Sequence, residues 1–170
     1  MAVRKKTKRA GAAKPRVAIL MGSANDWSEM KAAEESLDAL GIASDVRVIS
    51  AHRTPERHQR YVKAAERRGI EVFICGAGMA AHLAGVTAAL TRLPVLGVPL
   101  GGSAVNGMDS LLATVQMPGG IPVATFAIGR AGAKNAGLFA GQILAGRDAR
   151  VRAKLDAYRK KQTAAVPERP

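Results

Sequence analysis

Apolar runs of strand length recur along the chain, and each ends in a glycine- or serine-bearing polar turn before a helix-like stretch begins. The clearest are residues 16–21, 46–49 and 71–75. They are followed by Gly22-Ser23-Ala24-Asn25-Asp26-Trp27, Ser50-Ala51-His52-Arg53-Thr54-Pro55 and Gly76-Ala77-Gly78-Met79-Ala80-Ala81-His82. The first run, residues 16–21, is continuously apolar rather than alternating and suits a central strand buried on both faces, and the alternation of strands with helices makes the sheet parallel with right-handed crossovers. In such a sheet the loops leaving the carboxyl ends of the strands share one side, so the polar turns converge on one crevice.

The helices are marked at their ends. Trp27, Met30, Ala33, Leu37 and Leu40 recur at three- or four-residue spacing, with Asn25 or Asp26 able to cap the first turn and Gly41 to end the last. Thr54-Pro55 is an N-cap and N1 pair opening a basic amphipathic helix that runs to Gly69. Further units follow: a strand at 71–75, a helix at 80–90, a strand at 94–98, a helix at 109–116, a strand at 122–126 and a small-residue helix at 132–144. A last helix, over about 148–162, lies outside the alternation. The pattern predicts an α/β fold, a three-layer α/β/α sandwich around a parallel five-stranded sheet with an added C-terminal helix. Ala133, Ala136, Gly137, Ala140 and Gly141 allow close backbone approach; packing within the chain explains this about as well, but so many small apolar residues favour a homo-oligomer with close subunit contacts.

The formal net charge of +13 suggests a nucleic-acid binder until its distribution is read. Residues 1–16 hold seven basic and no acidic side chains and residues 147–170 eight basic and three acidic, whereas residues 17–146 hold eleven basic and ten acidic. With six aromatics in all, and none among the basic residues of the first segment, stacking platforms for bases are lacking. The reading is a nearly neutral body with solvated, partly disordered tails and no nucleic-acid role. No apolar stretch approaches the roughly 20 residues that span a bilayer, so no membrane role is expected, and one cysteine, Cys75, fits a buried thiol in a reducing, cytoplasmic setting.

Gly76-Ala77-Gly78-Met79-Ala80-Ala81 satisfies the loose dinucleotide fingerprint, but the stretch Val95-Leu96-Gly97-Val98-Pro99 carries no carboxylate for a ribose. Its backbone amides at a helix start remain able to bind an anion or carboxylate. Gly22-Ser23-Ala24-Asn25-Asp26 lacks a P-loop's lysine ending, yet a hydroxyl, an amide and a helix start can hold a phosphate, and Asp26 can accept from sugar hydroxyls; Asn25 and Asp26 can equally be helix caps. Arg53 suits a phosphate ester, and His52 beside it can give and take a proton near neutral pH. His58 is expected on a solvated helix face, and His82 just inside the third helix.

These motifs together resemble the class I PurE family of N5-carboxyaminoimidazole ribonucleotide mutases over residues 16–165. The resemblance rests on Met21-Gly22-Ser23 with Asp26-Trp27, Ser50-Ala51-His52-Arg53-Thr54-Pro55, Gly76-Ala77-Gly78 with Ala80-Ala81-His82-Leu83, and Asp109-Ser110-Leu111 through Gln116-Met117-Pro118. It implies one catalytic domain at 16–165, a basic tail at 1–15 and a short tail at 166–170. It also implies a flavodoxin-like fold, a homo-octamer in which the C-terminal helix packs on neighbouring subunits, and no cofactor or metal. The implied reaction, within de novo purine biosynthesis, moves a carboxyl group from the exocyclic nitrogen of an aminoimidazole ribonucleotide to ring carbon C4.

His52 would be the general acid and base, and Ser23 and Arg53 would bind the ribose phosphate with Ser50 and Asn25 assisting. Asp26 would hold the ribose hydroxyls, and the amides of residues 76–81 would hold the carbon dioxide in a water-poor pocket. An ATP-dependent synthetase would supply the substrate. The chain departs from the family pattern at Met79, where many relatives have glycine, at Ala84, where they have proline, and at Leu100-Gly101-Gly102-Ser103. A glycine there often marks a positive φ or a close ligand approach, so Met79 bears on the pocket's shape. Trp27 and the segment 109–118 favour the mutase over direct carboxylation by carbon dioxide. A non-catalytic nucleotide-binding module is a further alternative, which would tolerate loss of His52.

Overall fold

The computed structural model describes residues 13–169; residues 1–12, most of the expected basic tail, and residue 170 lie outside the described residues. Five parallel strands, β1 (Val17–Met21), β2 (Ser44–Val48), β3 (Val72–Ala77), β4 (Val95–Pro99) and β5 (Ala124–Thr125), form one sheet in the order β2-β1-β3-β4-β5. The central strands β1 and β4 are buried at every position and β3 at all but its last. Side chains alternate between two apolar clusters: Val17, Ile19, Ile74 and Leu96 point to one face, Ala18, Leu20, Phe73 and Cys75 to the other.

The first face is covered by α1 (Trp27–Ala39) and α5 (Arg130–Ala145), with α6 (Ala149–Ala164) packed outside α5. The second is covered by α2 (Pro55–Ala65), α3 (Leu83–Ala88) and α4 (Met108–Val115). The result is the expected α/β/α sandwich with flavodoxin-like strand order. Gly97 lets α4 settle on β4, because a Cβ there would lie 2.5 Å from the Thr114 methyl. Arg16, counted with the basic tail in sequence, pairs with Glu71 and Asp148 and so ties the start of β1 to the start of α6.

Several expectations change. The small residues of α5 serve packing inside the chain: a Cβ on Gly137 would lie 2.7 Å from the Ala33 carbonyl oxygen of α1 and 2.8 Å from the Ser36 Cβ. They are therefore no argument for a subunit contact. The third helix begins at Leu83, not 80, because Ala81 N–H and His82 N–H donate to the Met79 and Ala80 carbonyls in a tight turn. Strand β5 shrinks to two residues, since Pro122 has no N–H to offer β4. Cys75 is buried as expected, and burial pushes its thiol up to about 12.

Candidate active site

The strand order reverses between β1 and β3, and the loops after β1, β2, β3 and β4 surround a cleft of about 660 Å³ there. All four sequence-predicted residues line it: Ser23, Asp26, His52 and Arg53. Its two halves differ in chemistry. Over β1 and β2 the wall is Ser23, Asn25, Asp26, Ser50 and Arg53; over β3 and α3 it is Ala77, Gly78, Met79, Ala80 and Leu83. His52 comes from the polar side and reaches the apolar one.

Ser23 caps a short 3-10 turn (Ala24–Asp26) ahead of α1, with its hydroxyl oxygen accepting from Asn25 N–H at 3.3 Å and its N–H donating to Asp26 Oδ2 at 2.8 Å. Asp26 holds the expected N-cap position of α1 without a side-chain cap bond there, and instead closes the capping box that Ser23 opens on the preceding turn. The Ser23 hydroxyl proton stays available to an anion. Burial raises the Asp26 carboxyl above its ordinary value, although the Ser23 and Gly22 amides and the Arg53 charge pull the other way.

Arg53 bridges the two polar loops. Its Nη2 donates to the Gly22 carbonyl at 2.7 Å, and its backbone N–H donates to Ser50 Oγ at 3.1 Å. Thr54 occupies the expected N-cap position before Pro55, but its hydroxyl turns back to the Ser50 carbonyl at 2.9 Å instead of capping α2. This knot holds residues 50–54 in a fixed turn, and His52 projects from it. The His52 Nε2 lies 2.9 Å from His82 Nδ1 with the rings edge to face, so one nitrogen donates and the other accepts. His82 stands at the N-cap of α3 rather than within the helix.

The β3 loop is wound into tight turns at its end. The amides of Ala81 and His82 are spent on the Met79 and Ala80 carbonyls, which leaves the Gly78–Ala80 stretch as the part of that loop facing the cleft. Met79 has φ of +52°, and its side chain is 66% exposed. A left-handed backbone at a residue with a Cβ costs roughly 1–2 kcal/mol.

His58, expected in solvent, is only 1% exposed. Its Nε2 lies 2.8 Å from Thr87 Oγ1, and the Thr87 hydroxyl donates to the Leu83 carbonyl at 2.7 Å, so His58 Nε2–H is the donor in this pair. The bond ties α2 to α3, the helices that follow the loops bearing His52 and His82. Burial lowers its pKa. The signal was present in sequence: His58, Val62 and Ala65 fall at four- and three-residue spacing and are the buried positions of α2. Among the described residues, no three His, Cys, Asp or Glu side chains gather to hold a metal ion, and no helix is long and apolar enough to cross a membrane.

A profile of the AIR carboxylase family matches residues 16–165. The N5-carboxyaminoimidazole ribonucleotide mutase of Brucella melitensis is 56% identical over 154 residues, covering 91% of this chain and 95% of that one. The mutase of the same name from Bacillus subtilis is 56% identical over 151 residues, covering 88% and 93%. The crystal structure of Treponema denticola PurE superposes with a TM-score of 0.78 at 26% identity, covering 88% of this chain and 92% of that one.

Proposed function

Because the chain belongs to the AIR carboxylase family, we propose that it converts N5-carboxyaminoimidazole ribonucleotide into 4-carboxy-5-aminoimidazole ribonucleotide in de novo purine biosynthesis. The observation that carries this reading is the position of His52, at the seam between a polar half of the cleft suited to a ribose phosphate and an apolar half suited to a heterocycle.

The phosphate sits against the Ser23 hydroxyl and the Arg53 guanidinium, which keeps Nη1 free while Nη2 holds Gly22. Asp26 accepts from the ribose hydroxyls with the oxygen that Ser23 N–H leaves open. The base then lies against Gly78, Met79, Ala80 and Leu83 with its exocyclic nitrogen and C4 near His52. Cleavage of the carbamate N–C bond returns its electron pair to nitrogen, which takes a proton from His52, and carbon dioxide is released within the cleft. The ring carbon C4 attacks that carbon dioxide, and His52 removes the C4 proton to restore the aromatic ring. One residue serves both transfers, so the reaction is a net isomerisation.

The homo-octamer belongs to the same proposal. It is supported by Met108, Leu112 and Val115, which form an exposed apolar stripe at four- and three-residue spacing on α4. The catalytic domain is residues 16–165, with flanking tails that take no part in turnover. The enzyme acts in the cytoplasm, with no nucleic-acid partner, downstream of an ATP-dependent synthetase that makes the labile carbamate.

The test supplies the carbamate substrate without ATP or metal and follows the C4-carboxylated product. His52→Asn is expected to lose roughly 10²- to 10⁴-fold in kcat with KM little changed. Conversion undiminished in that variant would remove His52 from the chemistry, and turnover only of aminoimidazole ribonucleotide with carbon dioxide would move the chain to the carboxylase reaction. Light scattering at the mass of eight 17.7 kDa chains supports the octamer, and any smaller mass overturns it.

A further inference from the structure

A large apolar side chain on a strained backbone, with most of its surface in water, gains nothing in the free protein. Met79 is such a residue: φ is +52°, exposure is 66%, and both neighbours, Gly78 and Ala80, are small. Asn106, the other described non-glycine residue with positive φ, lies outside the cleft lining, whereas Met79 forms part of it. Gly78, which would adopt positive φ freely, precedes it, so the turn has not placed its glycine where the left-handed residue falls. The Met79 carbonyl accepts the Ala81 N–H at 2.8 Å, which fixes the turn at the cleft's apolar wall. Backbone strain of this kind clusters at sites that clamp a ligand, which singles Met79 out among the residues of the cleft wall.

The cleft itself identifies the occupant. Its polar half is built for the charged end of a nucleotide, which leaves the apolar half, Ala77 to Ala80 with Leu83, for the base. A methionine is unbranched, with several rotatable bonds and a soft thioether, so it can swing over a bound ring and away again for exchange. Gly101 and Gly102, on the loop after β4, bring no side chain to the rim, and a Cβ at either would meet nothing within 4 Å.

We propose that Met79 is a retention residue: its side chain folds over the bound aminoimidazole and closes the apolar end of the cleft, keeping released carbon dioxide beside C4 until it is recaptured. This rests on the mutase reading and adds a determinant of its outcome. When carbon dioxide is held, the C4–C bond forms and the C4 proton passes to His52. When it escapes, one aminoimidazole ribonucleotide and one carbon dioxide leave, and His52 takes its next proton from solvent. Met79 sets the ratio of these two fates.

The experiment uses substrate labelled with ¹³C at the carbamate carbon in buffer equilibrated with unlabelled carbon dioxide, with uncatalysed decay subtracted. It measures label in the C4 carboxylate and free aminoimidazole ribonucleotide per turnover. Met79→Gly relieves the backbone and removes the cover, so it folds at least as well as wild type; Met79→Ala keeps the strain and removes the cover; Met79→Leu keeps both. The first two are expected to release at least fivefold more aminoimidazole ribonucleotide per turnover and to wash out label, with Met79→Leu returning to within twofold of wild type. Unchanged label retention in both the glycine and alanine variants, beside an active wild type, overturns the assignment while leaving the mutase reading intact. A wild type without turnover overturns the reading itself.

Discussion

Replacing His58 by leucine isolates the cost of burying a titratable ring between α2 and α3. At pH 8 the wild-type ring is neutral and donates to Thr87, whose own proton remains on the Leu83 carbonyl in the variant. Loss of that bond costs about 1 kcal/mol and burial of leucine at a site 1% exposed gains a similar amount, so stabilities should agree within about 1 kcal/mol. Acid separates them. Burial lowers the folded pKa of His58 below the ordinary 6.5, so the unfolded chain binds the proton first and stability falls as pH drops below 6.5. The loss approaches about 1.4 kcal/mol per pH unit while only the unfolded state is protonated. Between pH 8 and 5.5 the loss is at most about 1.4 kcal/mol, which for a chain of this size is at most roughly 3–6 °C in Tm. Cys75, which also touches Thr87, titrates at about 12 and is silent here. Calorimetry of both proteins at pH 8 and 5.5 cancels the carboxylates they share, so the difference between variant and wild type belongs to His58. If that difference is the same at both pH values to within 1 °C, the ring is not held neutral between the helices and the reasoning fails.

Arg53→Met is expected to raise KM for the nucleotide roughly 10- to 100-fold, the scale of one charge-assisted contact, with a smaller change in kcat; a KM left unchanged would take the phosphate away from Arg53. His82→Ala should reduce kcat by less than roughly tenfold, because its bond to His52 lies in an exposed pair that water can replace. A loss as large as that of His52→Asn, measured in the same product assay, would make His82 part of the proton chemistry.

Much of this architecture was legible because the central strands β1, β3 and β4 are short apolar runs that end in polar or glycine-bearing turns, and parallel strands place their loops on one side. What failed to read was tertiary. The small residues of α5 fit a partner subunit or a neighbouring helix equally well in sequence, and only the approach of Gly137 to Ala33 decides for the latter. His58 was misread from its polarity, although its spacing with Val62 and Ala65 marks the buried stripe of α2. The start of α3 shifted because a left-handed Met79 winds residues 79–82 into successive tight turns, a conformation that side-chain periodicity does not encode.

The same contrast explains the site. Ser23, Asp26 and Arg53 were readable because their bonds are local: Asp26 closes on Ser23 three residues away, and Arg53 returns to Ser50 at the same distance. The bonds that join the loops to one another are not local. Arg53 reaches Gly22 across 31 positions and His52 reaches His82 across 30, and each exists only because β1 lies between β2 and β3. The tie from His58 to Thr87, across 29 positions, repeats that span in the buried interior. Two helices that start at the cleft are thus fastened once in its open mouth and once in the core. The buried bond joins α2 to α3 directly, and so restrains the relative position of the two loop ends from which His52 and His82 project.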